Sequence, residues 1–216
     1  MNKLFCSVKT TTLFLVVAIF FLFSASVVKL KAEELASVKI GEVAPVFTLE
    51  NQLGGKISLS DFKGKIVVLE WFNHECPFVK KHYRSNNMQR LQKKYLEKGV
   101  IWLIINSSAP GKQGHLNLEN GKKILEENNA APSALLFDAD GKVGVAYGAK
   151  TTPHMFIVDS AGNLRYKGAI DNVKSTREGD IEGAKNYVTQ ALDQLLNGKE
   201  VSESSTEPYG CSVKYS

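Results

Sequence analysis

The chain has 216 residues, 44% of them hydrophobic and 23% charged, with a formal net charge of +5. That balance excludes a disordered chain and fits a globular domain with a sizeable core. Its three cysteines are too few for a disulfide-built scaffold, so a pair among them serves chemistry rather than architecture.

Residues 1–32 form a targeting segment by pattern. Lys3 and Lys9 accompany a short polar start, residues 13–23 are apolar almost throughout, and small-residue cleavage sites follow at residues 24–26 and 30–32. This is the pattern of a secretory signal peptide. The alternative is an uncleaved anchor that tethers the chain to a membrane, although the apolar stretch is short for a span of roughly 20 residues. The chain is therefore expected to be exported and extracytoplasmic, either released into a periplasm or anchored. The segment holds four lysines and no acid, which leaves +1 on the remainder. No nucleic-acid partner is expected, because that needs a basic face on the mature domain. Cys6 belongs to the leader, so Cys76 and Cys211 remain.

Residues 46–49 and 56–59 read as short strands on either side of a Gly54-Gly55 turn. Residues 66–72 have the near-continuous apolar character of a buried strand, interrupted only by Glu70. Cys76 follows, and Pro77 opens a helix predicted over residues 77–98. Phe78, His82, Met88, Leu91, Tyr95 and Leu96 recur at helical spacing there, and Gly99 is its stop. Residues 100–106 form a second buried strand, 107–114 a polar loop, 116–129 an amphipathic helix, 133–137 a strand and 141–147 a short helix or turn. Thr151-Thr152-Pro153 leads into a third core strand at 155–158, which residues 159–163 turn back into 164–167 as a hairpin. A terminal helix is predicted over 181–196, ended by Gly198. Residues 201–216 read as a flexible polar tail that delivers Cys211. The order implies an α/β domain over residues 33–200, a central mixed sheet flanked by helices with an N-terminal β-hairpin extension.

Cys76 is the strongest candidate for chemistry. A thiol where a strand meets a helix faces the first backbone N–H groups of the helix and the positive end of its dipole, and both favour thiolate. Lys80, Lys81 or His82 would add to this, and Glu75 would oppose it. Such a nucleophile needs a second thiol to release its product, and Cys211 on a swinging tail can supply it. His74, His82 and His154 match no recognised ligand spacing, so neither a metal nor another cofactor is expected. Lys80-Lys81 and Lys93-Lys94 read as solvated helix positions.

Residues 41–196 resemble the thioredoxin-like superfamily, in its redoxin branch shared with peroxiredoxins of the AhpC/TSA type. The markers are Gly41-Glu-Val-Ala-Pro45-Val-Phe-Thr-Leu49, Leu59-Ser-Asp-Phe-Lys-Gly-Lys65, the Cys76 junction and Thr152-Pro153 before Phe156-Ile-Val-Asp159. The strings around Cys76, residues 106–114 and the tail Pro208–Tyr215 look like a peroxiredoxin-like subgroup with a single active-site cysteine. The resemblance implies a thioredoxin-like fold, a buried acid at Glu70 beneath the nucleophile, and a cis-proline loop at Thr152-Pro153. A desolvated acid can shuttle a proton to or from a thiol, and in relatives the loop offers backbone groups to a bound thiol or peptide. Asn73 stands where peroxiredoxins carry a Thr, Pro153 where they carry an Arg, and Val79 where thioredoxins carry a second Cys. Trp71 would wall the site.

The function expected is that of an exported thiol-based oxidoreductase or antioxidant. Cys76 would attack peroxide or disulfide substrates, and a thiol reductant or a disulfide-containing protein would be its partner. The alternatives are thiol-disulfide exchange of the TlpA-like type and a non-enzymatic redox-sensing or metal-binding module.

Overall fold

The computed structural model describes residues 37–216. The expected leader, its cleavage sites and Cys6 lie outside the described residues. Among the described residues no helix is long and apolar enough to cross a membrane.

At the centre lies β3 (Val67–Trp71), in which every residue is buried. A strand of this kind needs cover on both faces and partners on both edges. It pairs in parallel with β4 (Ile101–Asn106) and antiparallel with β7 (His154–Val158). Beyond β4 lies β5 (Ala134–Phe137), and beyond β7 lies β8 (Leu164–Gly168). The hairpin of β1 (Thr48–Asn51) and β2 (Lys56–Ser58) joins the far edge of β5, so the N-terminal hairpin extends the same sheet. The sheet has seven strands in the order β2-β1-β5-β4-β3-β7-β8.

Alternation along the strands sends side chains into two cores. Val68, Phe72, Trp102, Ile104 and Met155 enter one, covered by α1 (Pro77–Arg84), α2 (Asn87–Leu96), α3 (Gly121–Glu127) and α5 (Tyr187–Leu196). Val67, Leu69, Trp71, Leu103 and Phe156 enter the other, covered by α4 (Lys142–Tyr147) and the segment that carries Ala44 and Phe47. This is the mixed α/β plan the sequence implied.

Three elements differ from expectation. The helix predicted over residues 77–98 is two helices, because Asn86 turns left-handed at φ 59 between them. Asn tolerates that region better than most residues, and its side chain leaves no trace in the apolar periodicity. The start of α5 is Asn186, whose side chain accepts from the Thr189 N–H at 2.8 Å. Ile181, assigned to that helix, instead ends a separate 3₁₀ turn, Glu178–Ile181. The helix predicted from residue 116 begins only at Gly121, after a turn in which Asn117 and Asn120 bond each other's backbone.

The tail is the largest difference. Residues 201–216 do not extend into solvent; they lie along the domain. Backbone bonds tie Lys167 to Ser204 (3.0 Å) and Thr206 to Lys167 (3.1 Å) beside β8. β9 (Cys211–Ser212) then pairs antiparallel with β6 (Thr151–Thr152), Thr152 opposite Cys211, as a second, two-stranded sheet. Beyond it, Val213 donates to the Lys150 carbonyl at 3.0 Å, and the Tyr215 hydroxyl donates to the Ala149 carbonyl at 2.8 Å. Bare glycines at Gly141 and Gly144 leave room for the Tyr215 ring.

Candidate active site

Cys76 is the N-cap of α1, with Pro77 as the first helical residue. Proline is suited to that position, where its missing N–H would have no helical partner anyway. The chain reaches it through a turn built by Asn73. The Asn73 carbonyl accepts from the Cys76 N–H at 3.1 Å, and its side-chain oxygen accepts from the Glu75 N–H at 2.9 Å. Its amide nitrogen donates to the Gln113 carbonyl at 3.2 Å, which binds the 107–114 loop to the same corner. Asn73 is thus buried support beneath the nucleophile.

The Cys76 sulfur lies 2.9 Å from the Thr152 carbonyl oxygen and 2.8 Å from the Cys211 sulfur. Both cysteines are free thiols. The Thr152–Pro153 peptide bond is cis. Gly210, at φ 148, lets the tail pass over this loop, since a Cβ there would collide with the Thr152 carbonyl.

Burial opposes ionisation of Cys76, but it is outweighed. The Cys211 thiol, the Val79 and Cys211 backbone N–H groups and the Thr152 hydroxyl all favour the thiolate, and the pKa falls below the ordinary thiol value. The Thr152 hydroxyl is buried with no other partner, so a thiolate is the acceptor it lacks. Cys211 moves the opposite way. Burial raises its pKa, and its bond to the Cys76 sulfur and that sulfur's charge raise it further, to about 11. One sulfur of the pair is therefore poised to ionise first.

Cys76 is fully buried, whereas a reachable thiol was expected. Part of the cover is the tail itself, which also supplies two of the groups that favour its charge. The nucleophile and its candidate partner, 135 residues apart, are brought together.

Glu70 is buried on the Trp102 and Met155 side of β3. Its two oxygens accept from the Tyr83 hydroxyl and the Trp102 indole N–H, each at 2.8 Å. Burial wins over these bonds and lifts its pKa to about 7. No hydrogen bond joins it to Cys76. Trp71, expected to wall the site, lies in the opposite core. It packs on Tyr147 and Phe156, and its indole N–H donates to Ser107 at 3.0 Å.

The histidines are held apart by separate neighbours. His154 receives the Lys150 N–H at 3.3 Å, and burial pushes its pKa down to about 3. His82 lies on α1 beside Lys81, and burial holds its pKa down to about 4. Lys81, read as a solvated position, is buried, with its amine 3.7 Å from Asp171 and bonded to the Val173 carbonyl at 2.9 Å. Tyr209 of the tail joins this group through both His82 and Asp171. Sequence reasoning missed the cluster because its members come from three distant stretches. The only signal was two tyrosines flanking Cys211 in an otherwise polar tail.

A family model described as the AhpC/TSA family matches residues 40–167, which run from just before β1 into β8 and leave the tail outside. The thiol-disulfide oxidoreductase ResA of Bacillus thuringiensis subsp. konkukian (strain 97-27) is 30% identical over 127 residues, covering 59% of this chain and 68% of the relative. A crystal structure of an uncharacterised conserved protein from Geobacillus kaustophilus superposes with a TM-score of 0.73 at 31% identity, over 84% of this chain and 94% of that one. A hypothetical protein from Sinorhizobium meliloti 1021 gives 0.72 at 26% identity, over 83% and 96%.

Proposed function

The chain belongs to the AhpC/TSA family, and from that premise we propose that it is a thiol-disulfide oxidoreductase whose redox couple is Cys76 with Cys211. The observation that carries this reading is the 2.8 Å approach of the two sulfurs, Cys76 held through its N–H to Asn73 and its carbonyl to the Lys80 N–H, and Cys211 through its pairing with Thr152. The similarity to a relative named as a thiol-disulfide oxidoreductase supports it.

The Cys76 thiolate attacks one sulfur of a substrate disulfide. The substrate S–S bond breaks, one substrate thiolate leaves, and Cys76 is held in a mixed disulfide. Cys76 then no longer carries the charge that suppressed ionisation of Cys211. The Cys211 sulfur attacks Cys76, and the second substrate thiol leaves with the proton that Cys211 gives up. The substrate is reduced by two electrons and the pair oxidised to a Cys76–Cys211 disulfide. A thiol reductant or dithiol partner regenerates it.

Peroxide is the second substrate class, favoured by family membership and by the Thr152 hydroxyl beside the Cys76 sulfur, which would turn to a peroxide oxygen. The Cys76 thiolate would take one oxygen as sulfenic acid and release an alcohol or water, and Cys211 would condense with it to the same disulfide plus water. Thr152 and Pro153 present backbone to the substrate sulfur, Asn73 fixes the turn beneath Cys76, and Glu70 serves as a nearby proton reservoir. Residues 1–32 direct export by this reading, with the domain at 33–200 and the tail at 201–216.

Intact mass after limiting oxidised dithiol or peroxide tests the couple. The expected product has lost two hydrogens, mapped to a Cys76–Cys211 linkage, and forms faster with the dithiol. Overoxidised Cys76 beside free Cys211 overturns the reading.

A further inference from the structure

Two residues before Cys211, Tyr209 leaves the tail and enters the domain, where it is 6% exposed. Its ring packs between Phe78 and His82 of α1, with centroids at 5.7 and 6.5 Å, and the Lys81 amine stands 5.6 Å from its centre. A chain of hydrogen bonds runs through its hydroxyl. The Asn87 amide lies 2.9 Å from His82 Nδ1, His82 Nε2 lies 3.1 Å from the Tyr209 oxygen, and the Tyr209 hydroxyl donates to Asp171 at 2.5 Å. With Asn87 as donor, the imidazole carries its proton on Nε2 and donates onward to Tyr209. Asp171 also accepts from the Val173 N–H at 2.9 Å.

Burying Lys81, His82 and Asp171 together is costly unless every group is satisfied, and such a network specifies geometry more than it adds stability. Within it, Tyr209 is the one member contributed by the tail. The helix that carries its receptor is the helix that begins at Cys76. One short rigid element therefore fixes the nucleophile at its N-terminus and the tail's anchor one to two turns later.

We infer that Tyr209 is a positioning residue, which seats the tail so that Cys211 resolves Cys76 in place and the same seating restrains access of substrate to Cys76. This rests on the Cys76–Cys211 couple proposed above. The step it serves is the second: the Cys211 sulfur bonds to Cys76, the bond from Cys76 to the substrate sulfur breaks, and the substrate thiol departs with the Cys211 proton. Freed from its anchor, the tail spends less time in register with β6, so resolution slows while Cys76 is uncovered more often. The two steps move in opposite directions; because unfolding would also uncover Cys76 and part it from Cys211, the rates are read on variants whose circular dichroism and urea midpoint show the fold intact.

The experiment follows both steps in the full chain, with wild type, Tyr209→Phe, Asp171→Asn and Phe78→Leu reduced, mixed with an oxidised small dithiol at about pH 9, where Cys76 is largely ionised with or without the tail's donors, and quenched with an alkylating reagent. Intact mass separates the mixed disulfide at Cys76 from the Cys76–Cys211 product. In Tyr209→Phe, mixed-disulfide formation rises severalfold and resolution falls about tenfold. Equilibration against glutathione shows the intramolecular disulfide less favoured by the same factor, about 30 mV. Asp171→Asn leaves the ring in place and weakens its anchor, and it repeats the opposed pattern of Tyr209→Phe; Phe78→Leu, which trims the ring's packing without touching the buried charges, repeats it too and carries the test should either of the others fail to fold. Unchanged rates, or both rates changed in the same direction, overturn the positioning role while leaving the couple intact. A wild type that forms no Cys76–Cys211 disulfide overturns the couple instead.

Discussion

Glu70 and Cys76 lie six residues apart, and both are buried, yet their acidities move in opposite directions. Glu70 sits near the end of β3, met by three neutral side chains, Trp102, Tyr83 and Gln92, for a carboxylate that can accept about four hydrogen bonds. Desolvation prevails, and the group stays protonated to about pH 7. Cys76 caps a helix, and its sulfur is met by two backbone N–H groups, a thiol and a hydroxyl. There the donors prevail. Burial alone decides neither case; what matters is how many donors are aimed at the charged form. The tail belongs to this balance, since Cys211 supplies two of the four donors at Cys76.

The largest test of the contrast is Glu70→Gln. Glu70 titrates at about 7 in the fold against an ordinary 4.5, so between those values the folded chain keeps a proton that the unfolded chain has released. Its stabilising contribution is complete below the lower value and is lost as pH rises through the upper one. The gap corresponds to about 3 kcal/mol. The stability of Glu70→Gln relative to the parent, from urea unfolding, should therefore improve by about 3 kcal/mol between roughly pH 4.5 and pH 8. His82 and His154, held down to about 4 and about 3, impose the opposite slope on both proteins and cancel in the difference. A difference independent of pH would show that Glu70 is already ionised.

Cys211→Ala tests the other side. It removes the foremost donor to the Cys76 sulfur, and the midpoint of alkylation rate against pH should move up toward the free-thiol value of about 8.5. A midpoint that stays put would assign the low pKa to the helix end alone. Thr152→Val keeps the shape of the loop residue and deletes only the hydroxyl. The same profile should shift upward by less, because Thr152 is the weakest of the four contributions.

Much of the fold was legible because its signals are local. The apolar runs gave β3, β4 and β7, and the Cys76-Pro77 pair marked the strand-to-helix junction. The sequence offered Cys211 only as a thiol that a swinging tail can supply, because a two-residue strand leaves no periodicity to find. The Tyr209 receptor was hidden for another reason. Lys81 looks like any helix lysine until Asp171 arrives from ninety residues away. Trp71 was misassigned by nearness in sequence, since alternation along β3 sends it to the face opposite Glu70.

β9 follows every strand of the main sheet in sequence. During synthesis the ribosome therefore releases the sheet, and the reactive sulfur at residue 76, well before the segment that shelters that sulfur. A nascent chain interrupted short of Tyr209 would display an uncovered thiol in place of a sheltered one. Stalled intermediates should then be captured by thiol-reactive reagents that the finished molecule resists.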